Sequence, residues 1–448
     1  MIHYENEVVR GGIAADAAGW RAIDALIPPD KSISHRALLF AALAPDPVVI
    51  RGLNGGKAVT LLLDALRQLG VDLTYDPGER RANVNGSLRA ADFPPDTSVY
   101  LGPSSAAARL LMGALTGLGK RCIVDGDATL RARPFDWIVE PLTEMGGRFE
   151  YLGEPGALPI RIHASEFSGG CVETRIGSAQ AVSAALFAGI AGRRAVRVRY
   201  PVRARDHTQL MAASFGDDVA ETGNEVAFSP RAFSVPAELV VPKDPSALAY
   251  PAALFLLRYR NDADATVTFT GVCLNPTRLG FFDWLAQCGF DVRTRETGRA
   301  LGEAVGDVIL RGGGDARATD LGSKERFHAM IDEVPLAAAV CCVLPGRAVF
   351  RDLFELTFKE SDRITATRTM LAGLGLRVDI DGYDMHVPGG QTPGPGPAVP
   401  SFGDHRLSMT AQVLLSAHAL AAEIDEGRCY RTSFPEFGDC LRVLKEAA

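Results

Sequence analysis

Six short polar clusters along this chain each run straight into an Ala/Leu-rich apolar stretch. They read DKSISHRALLFAALA from Asp30, GPSSAAARLLMGALTG from Gly102, GSAQAVSAALFAGIAG from Gly177, DPSALAYPAALFLL from Asp244, DEVPLAAAVCCVL from Asp332 and DHRLSMTAQVLLSA from Asp404. Their starts fall roughly 70 to 90 residues apart, too regular for accident and too long for a solenoid repeat. Each cluster offers Asp, Ser or Gly where a helix N-cap belongs, and the run behind it is long enough for a buried helix. A helix start exposes free N–H groups and a positive dipole end. Several such ends with Lys or Arg beside them would form an anion site if the fold brings them to one place.

Between the apolar runs lies a second recurring element: an amphipathic helix ending in Gly, then an alternating stretch broken by a turn. VTLLLDALRQLGVDLTYDPGERRANVNGS is one copy, with Gly70 as the C-cap glycine. PFDWIVEPLTEMGGRFEYLGEPGALPIRIHA, RLGFFDWLAQCGFDVRTRETG and RITATRTMLAGLGLRVDIDGYDMHVPGG are others. HTQLMAASFGDDVAETGNEVAFSP is a shorter copy, and FGDCLRVLKEAA closes the chain as a helix. The repeating unit is therefore buried helix, strand, amphipathic helix, strand, strand. Strand–helix alternation favours parallel pairing and the terminal hairpin adds antiparallel strands, so each small sheet is expected to be mixed. The class is α/β. Two similar domains of three units follow, one over 25–243, the other formed by 1–24 plus 244–448. Two such lobes invite hinge closure around a ligand. The Pro/Gly stretch from Pro388 reads as a surface loop before the last unit.

Composition narrows the class. At 448 residues the chain exceeds the usual reach of one hydrophobic core. Its 47% apolar and 23% charged residues are those of a globular protein, and a net charge of -7 argues against general attraction to nucleic acid or membrane. No apolar run is long enough to span a bilayer, and the start lacks a signal-peptide core. Eight cysteines without a Cys-x-x-Cys suggest core thiols in a reduced, cytoplasmic protein. Eight histidines show no ligand spacing, so no metal site is expected. A monomer is expected.

Candidate chemistry gathers at the repeat heads. Lys31, Ser32, His35 and Arg36 surround one helix start, as a phosphate or carboxylate would require, though an ordinary cap with surface basic residues fits equally. Arg131 and Arg133 precede a Pro-started helix, where arginines are usually solvated. RARDHT, from Arg203, sets two arginines beside another start. KESDR places Lys359, Glu360, Asp362 and Arg363 ahead of an amphipathic helix. Lys359 and Arg363 are four apart and could share a face with Glu360 nearby, where a carboxyl could move a proton. Asp332 and Glu333 open the fifth head as helix caps or acid–base groups, Arg406 belongs to the sixth, and the head at Asp244 reads as structural only.

DKSISHRALLFAALA, LRARP, SAQ, RDHT, DEVPLAAA, KESDRI, DHRLSM and TSFPEF, in this order over nearly the whole chain, resemble the 5-enolpyruvylshikimate-3-phosphate (EPSP) synthases. The resemblance implies two domains, each of three βαβαββ units, with helix N-termini aimed at an inter-domain cleft that holds the active site. It implies transfer of the carboxyvinyl group of phosphoenolpyruvate to a hydroxyl of shikimate 3-phosphate or a similar anionic acceptor, with release of phosphate and no metal or organic cofactor. Matched residue by residue, Lys31, Ser32 and Arg36 fall in the acceptor cluster, and Lys31 also at phosphoenolpyruvate. Ser178 and Gln180 match ligand contacts, Arg205 a position near the acceptor phosphate, and Lys359 an acceptor contact. Arg133, Arg363 and Arg406 match the phosphoenolpyruvate clamp. Asp332 matches the base at the acceptor hydroxyl and Glu360 the proton donor to the methylene carbon.

Three departures stand out. The family's Gly-Asn-Ala-Gly-Thr loop here reads Gly102-Pro103-Ser104-Ser105-Ala106, so the Asn is lost and Ser105 puts a hydroxymethyl where a second Gly lets phosphoenolpyruvate approach the backbone. Lys57 and Ala58 replace an acidic pair. Thr432, beside Arg431, stands where many members carry a lysine. Alternatives follow: transfer to a different acceptor in specialised metabolism, an elimination or dehydration on a shikimate-type ring without phosphoenolpyruvate, or a non-catalytic anion-binding protein. Intact Asp332 and Glu360 argue against the last.

Overall fold

A computed structural model describes residues 5–9, 17–394 and 398–446. Of the segment 1–24 assigned to the second domain, residues 1–4 and 10–16 lie outside the described residues, as do 395–397 of the Pro/Gly loop and 447–448 of the last helix. The chain divides into two compact units. The first comprises Pro29–Pro242 with Arg299–Glu303; the second comprises the described residues before Pro29, then Lys243–Gly298 and those from Ala304 onward. The chain passes between units at 28/29 and 242/243, and the small excursion at 299–303 has no counterpart in the repeat pattern. Asp30 N donates to Pro242 O in the first unit, and Asp244 N to Pro28 O in the second.

All six apolar runs are helices: Lys31–Leu43, Ser105–Gly117, Ala179–Gly192, Pro245–Arg258, Val334–Val343 and His405–Ala417. Asp30, Ser178, Asp244 and Asp404 cap their helices, each accepting a first-turn N–H. Ser104 and Glu333 occupy the N-cap position without capping. The fifth helix therefore starts after Glu333, and neither acidic residue of that head serves as its cap. Their carboxylates face arginines instead, as described below.

In the first unit each run belongs with a four-stranded mixed sheet. Val48–Arg51 pairs in parallel with Glu238–Val240 and antiparallel with Arg81–Val84, which continues to Leu73–Asp76. The sheets around Cys122–Asp125 and Val196–Arg199 repeat this pattern. After the Lys57–Gln68 helix, Gly70 adopts φ +77° and donates to Arg67 O, while Val71 N reaches Leu66 O, a Schellman end. Two buried helices cross almost backbone to backbone: a Cβ on Gly113 would lie 2.1 Å from Ala184 O, and one on Gly117 2.2 Å from Ala188 O.

The second unit corrects the expectation that each sheet is mixed. Glu7–Val9, Ala422–Asp425 and Val399–Pro400 do form a mixed sheet. The sheet of Thr266–Cys273 with Glu303–Arg311 and Asp291–Ala300, and that of Arg347–Phe350 with Asp384–Pro388 and Asp379–Asp381, each keep only a one-residue parallel bridge, at Lys243–Val272 and Ala318–Gly346. At Lys243 the reason is local. Pro242 has no N–H to extend the ladder, and Asp244 is already the cap of a Pro-started helix. Trp20, Tyr250, Phe255 and Trp284 lie in this unit's core among the Ala/Leu-rich helices. No described helix is long and apolar enough to cross a membrane.

Candidate functional site

Each unit assembles a cluster of charged side chains at its helix starts. In the first unit Lys31 and Ser32 open their helix half-buried. Arg36, one turn on, is only 3% exposed. Its Nε donates to Thr208 Oγ1 at 2.8 Å, its Nη2 to Ser183 Oγ at 2.7 Å and its Nη1 to Ser32 O at 3.0 Å. The guanidinium is thus a buried part that fixes the geometry around Ser32. Burial, with a smaller contribution from the Lys31 and Arg36 charges, pushes the neighbouring His35 down to about 3. A neutral His35 meets the Ala58 carbonyl, with Nε2 at 3.0 Å.

The divergent loop joins this cluster. Pro103 is half-buried and Ser104 and Ser105 are buried. Ser104 Oγ donates to the same Ala58 carbonyl at 3.1 Å and lies 3.4 Å from His35 Nε2. Two of the positions that depart from the family pattern therefore touch: Ala58 supplies a carbonyl and Ser104 the hydroxyl that binds it. Ser105 Oγ accepts from Arg133 Nη1 at 3.1 Å and from Gln180 Nε2 at 3.5 Å. Gln180 Oε1 accepts from Arg109 Nη1 at 2.6 Å, and Arg109 Nη2 donates to Pro134 O with its guanidinium over the Phe135 ring. Ser178 caps the Gln180 helix through Ala181 N. Arg205 is half-buried two residues before the His207–Ser214 helix. Arg131 instead pairs at the surface with Asp125. Lys57 is exposed at its helix start.

In the second unit Asp332 is the meeting point. Its Oδ1 lies 3.1 Å from Arg363 Nη1 and 3.4 Å from Lys359 Nζ. The two cations do not share a helical face: the helix begins at Arg363, and Lys359 lies in extended backbone at the end of a short 3-10 turn. Their common carboxylate brings them together. Arg363 Nη2 donates to Glu360 Oε2 at 2.6 Å, and its Nε to Asp404 Oδ2 at 2.8 Å. Burial alone would lower the Arg363 pKa; Asp404, Glu360 and Asp332 overcome it and hold the charge firmly in place. Arg406 is buried likewise, its Nη1 donating to Ser246 O at 3.2 Å and lying 3.6 Å from Glu333, with its guanidinium over Tyr250. Against burial, Tyr250, Asp332 and Glu333 raise its pKa. Thr432 is buried in the 3-10 turn Gly427–Thr432.

Asp404, Arg109 and the Thr208–Ser183 pair carry much of this geometry and have weak sequence signals. Asp404 reads as a cap, yet it also anchors Arg363. Arg109 is a lone charge in an apolar helix, and that isolation is the one signal that could have marked it.

Buried arginines at helix starts beside paired carboxylates make an anion-handling site on repeated α/β units. The chain belongs to the EPSP synthase family (3-phosphoshikimate 1-carboxyvinyltransferase), whose family profile matches residues 24–441. It is 37% identical over 429 residues to the 3-phosphoshikimate 1-carboxyvinyltransferase of Acidiphilium cryptum, covering 94% of each chain. The enzyme of that name from Bradyrhizobium diazoefficiens is 35% identical over 425 residues, with 93% of this chain and 89% of that one covered. A solved EPSP synthase from Acinetobacter baumannii superposes with a TM-score of 0.80 at 27% identity, covering 98% of this chain and 97% of that one.

Proposed function

We infer that the protein transfers the carboxyvinyl group of phosphoenolpyruvate to a hydroxyl of shikimate 3-phosphate and releases phosphate. Near-full-length membership of a family whose curated relatives carry that activity is the observation that carries this reading. It also favours transfer over elimination on the ring, a different acceptor, or anion binding alone.

The residue roles are part of the proposal. Lys31, Ser32, Ser178, Gln180, Arg205 and Lys359 hold the acceptor, with Arg36 shaping the pocket around Ser32. Arg133, Arg363 and Arg406 hold the phosphate and carboxylate of phosphoenolpyruvate. Asp332 takes the proton of the acceptor hydroxyl as its oxygen bonds to C2 of phosphoenolpyruvate, and Glu360 protonates the C3 methylene. The tetrahedral adduct then loses a C3 proton to Glu360 and its phosphate, which leaves with the proton from Asp332. Atoms and charges balance without an oxidant or reductant. The Asp332–Arg363–Glu360 contacts support this assignment, since one arginine holds both carboxyl groups in fixed orientation. A monomeric, cytoplasmic enzyme acting on these two small anions completes the reading.

The test is to mix the protein with phosphoenolpyruvate and shikimate 3-phosphate and follow products by ³¹P NMR. Inorganic phosphate appearing with a new enol ether that retains the ring phosphate supports transfer. Phosphate released from shikimate 3-phosphate alone overturns it in favour of elimination.

A further inference from the structure

The turn at 299–303, which groups with the first unit while the rest of its two strands belongs to the second, contains a buried carboxyl group that the reaction above does not use. Glu303 Oε1 lies 2.6 Å from His207 Nδ1, and neither side chain is exposed to solvent. The residues are 96 positions apart in sequence. The segment Arg299–Glu303 groups with the first unit, and its turn is shaped for close approach. Leu301 and Gly302 both take positive φ, 55° and 82°. A Cβ on Gly302 would sit 2.4 Å from Leu210 O, so only glycine lets the turn reach the His207–Ser214 helix. Two independent features, a glycine approach and a buried carboxylate–imidazole bond, therefore fix this turn against the start of that helix.

The next residue along the helix shows what is being held. Thr208 Oγ1 accepts from Arg36 Nε at 2.8 Å and donates to Ser183 Oγ at 2.8 Å, and Ser183 Oγ accepts from Arg36 Nη2 at 2.7 Å. Arg36, Thr208 and Ser183 thus close a ring of hydrogen bonds, all buried. Arg36 Nη1 then reaches the Ser32 carbonyl at 3.0 Å. A buried carboxyl–imidazole hydrogen bond adds little net stability, because desolvation offsets most of the attraction, but its orientation is strict. A carboxylate at this depth is better explained by the geometry it imposes. We propose that Glu303 is a positioning residue: it holds His207, and through the adjoining Thr208 it sets the Arg36 guanidinium that shapes the acceptor pocket at Ser32. The proposal rests on the functional reading above for the identity of the acceptor.

The test uses the full chain and four variants: Glu303→Ala, Glu303→Gln, Thr208→Val and the double variant Glu303→Ala/Thr208→Val. Binding of shikimate 3-phosphate is measured by calorimetry, KM and kcat by phosphate release, and folding by the thermal midpoint. Glu303→Ala and Thr208→Val are each expected to weaken shikimate 3-phosphate binding by about tenfold, the scale of one misplaced charged hydrogen bond, while kcat moves by less than about threefold. The double variant is expected to be no worse than either single one, because both act on the same arginine. Glu303→Gln, which keeps a hydrogen-bonding group toward His207, is expected to restore most of the binding. A Glu303→Ala protein with a lowered midpoint but normal acceptor binding overturns the proposal, as does an additive double variant. If Glu303→Ala does not fold, Thr208→Val decides: wild-type binding there overturns it. An active wild type with unaffected variants defeats this inference alone. A wild type that neither binds shikimate 3-phosphate nor releases phosphate defeats the functional reading and this inference with it.

Discussion

The hydroxyl of Ser105 accepts a hydrogen bond from Nη1 of Arg133 at 3.1 Å. The residue that replaces a family glycine thus occupies one donor of an arginine assigned to phosphoenolpyruvate. The same oxygen receives Gln180 at 3.5 Å, so one small side chain engages two residues proposed to hold ligands.

Removing that hydroxymethyl should release the donor and open the loop. Ser105→Gly is expected to lower the KM for phosphoenolpyruvate by about three- to tenfold, the worth of one hydrogen bond. Ser105→Ala separates the two contributions, since it removes the hydroxyl and keeps Cβ. Steady-state kinetics on the three proteins decide; equal KM values throughout would show that Ser105 does not limit access.

Lys31 lies half-buried at its helix start, where its role is assigned to ligands. Lys31→Ala is expected to cut kcat/KM at least about a hundredfold while unfolding free energy changes by less than about 1 kcal/mol. Phosphate release and urea melts are the measurements. An unfolded variant, or a fully active one, refutes the assignment.

His35 makes acid stability testable. Its folded pKa is lowered from 6.5 to about 3. Between those values the unfolded chain binds a proton that the folded protein refuses. The stabilisation is therefore complete above pH 6.5 and is lost as pH falls toward 3. Wild-type protein should lose about 2 kcal/mol from this group between pH 6.5 and pH 5. His35→Gln, which can still donate to the Ala58 carbonyl, should show a correspondingly shallower slope in urea melts at the two pH values. An identical slope would mean that His35 does not remain neutral in the fold.

The helix crossing at Gly113 leaves no room for a methyl group, since a Cβ there would lie 2.1 Å from Ala184 O. Gly113→Ala should cost at least about 2 kcal/mol, although alanine favours helix elsewhere. A thermal midpoint at or above that of the wild type would show that the crossing can spread without penalty.

The six buried helices, their spacing and most of their caps are legible in the order of residues. Those signals are local: an Asp or Ser beside an apolar run specifies a helix start whatever surrounds it. The catalytic candidates were also visible because they cluster at those starts in a recognisable order. How they are wired follows from the folded chain. Lys359 and Arg363 are four apart, yet they meet through Asp332 and not through a helical face. Arg36 stands in the first cluster at a helix start, and its bonds run to Ser183 and Thr208, more than a hundred residues away. Glu303 carries no local signal, since its meaning depends on a glycine turn reaching His207 across 96 positions. Periodicity and capping arise from neighbours along the chain, whereas desolvated hydrogen bonds between distant segments exist only once the core has closed around them.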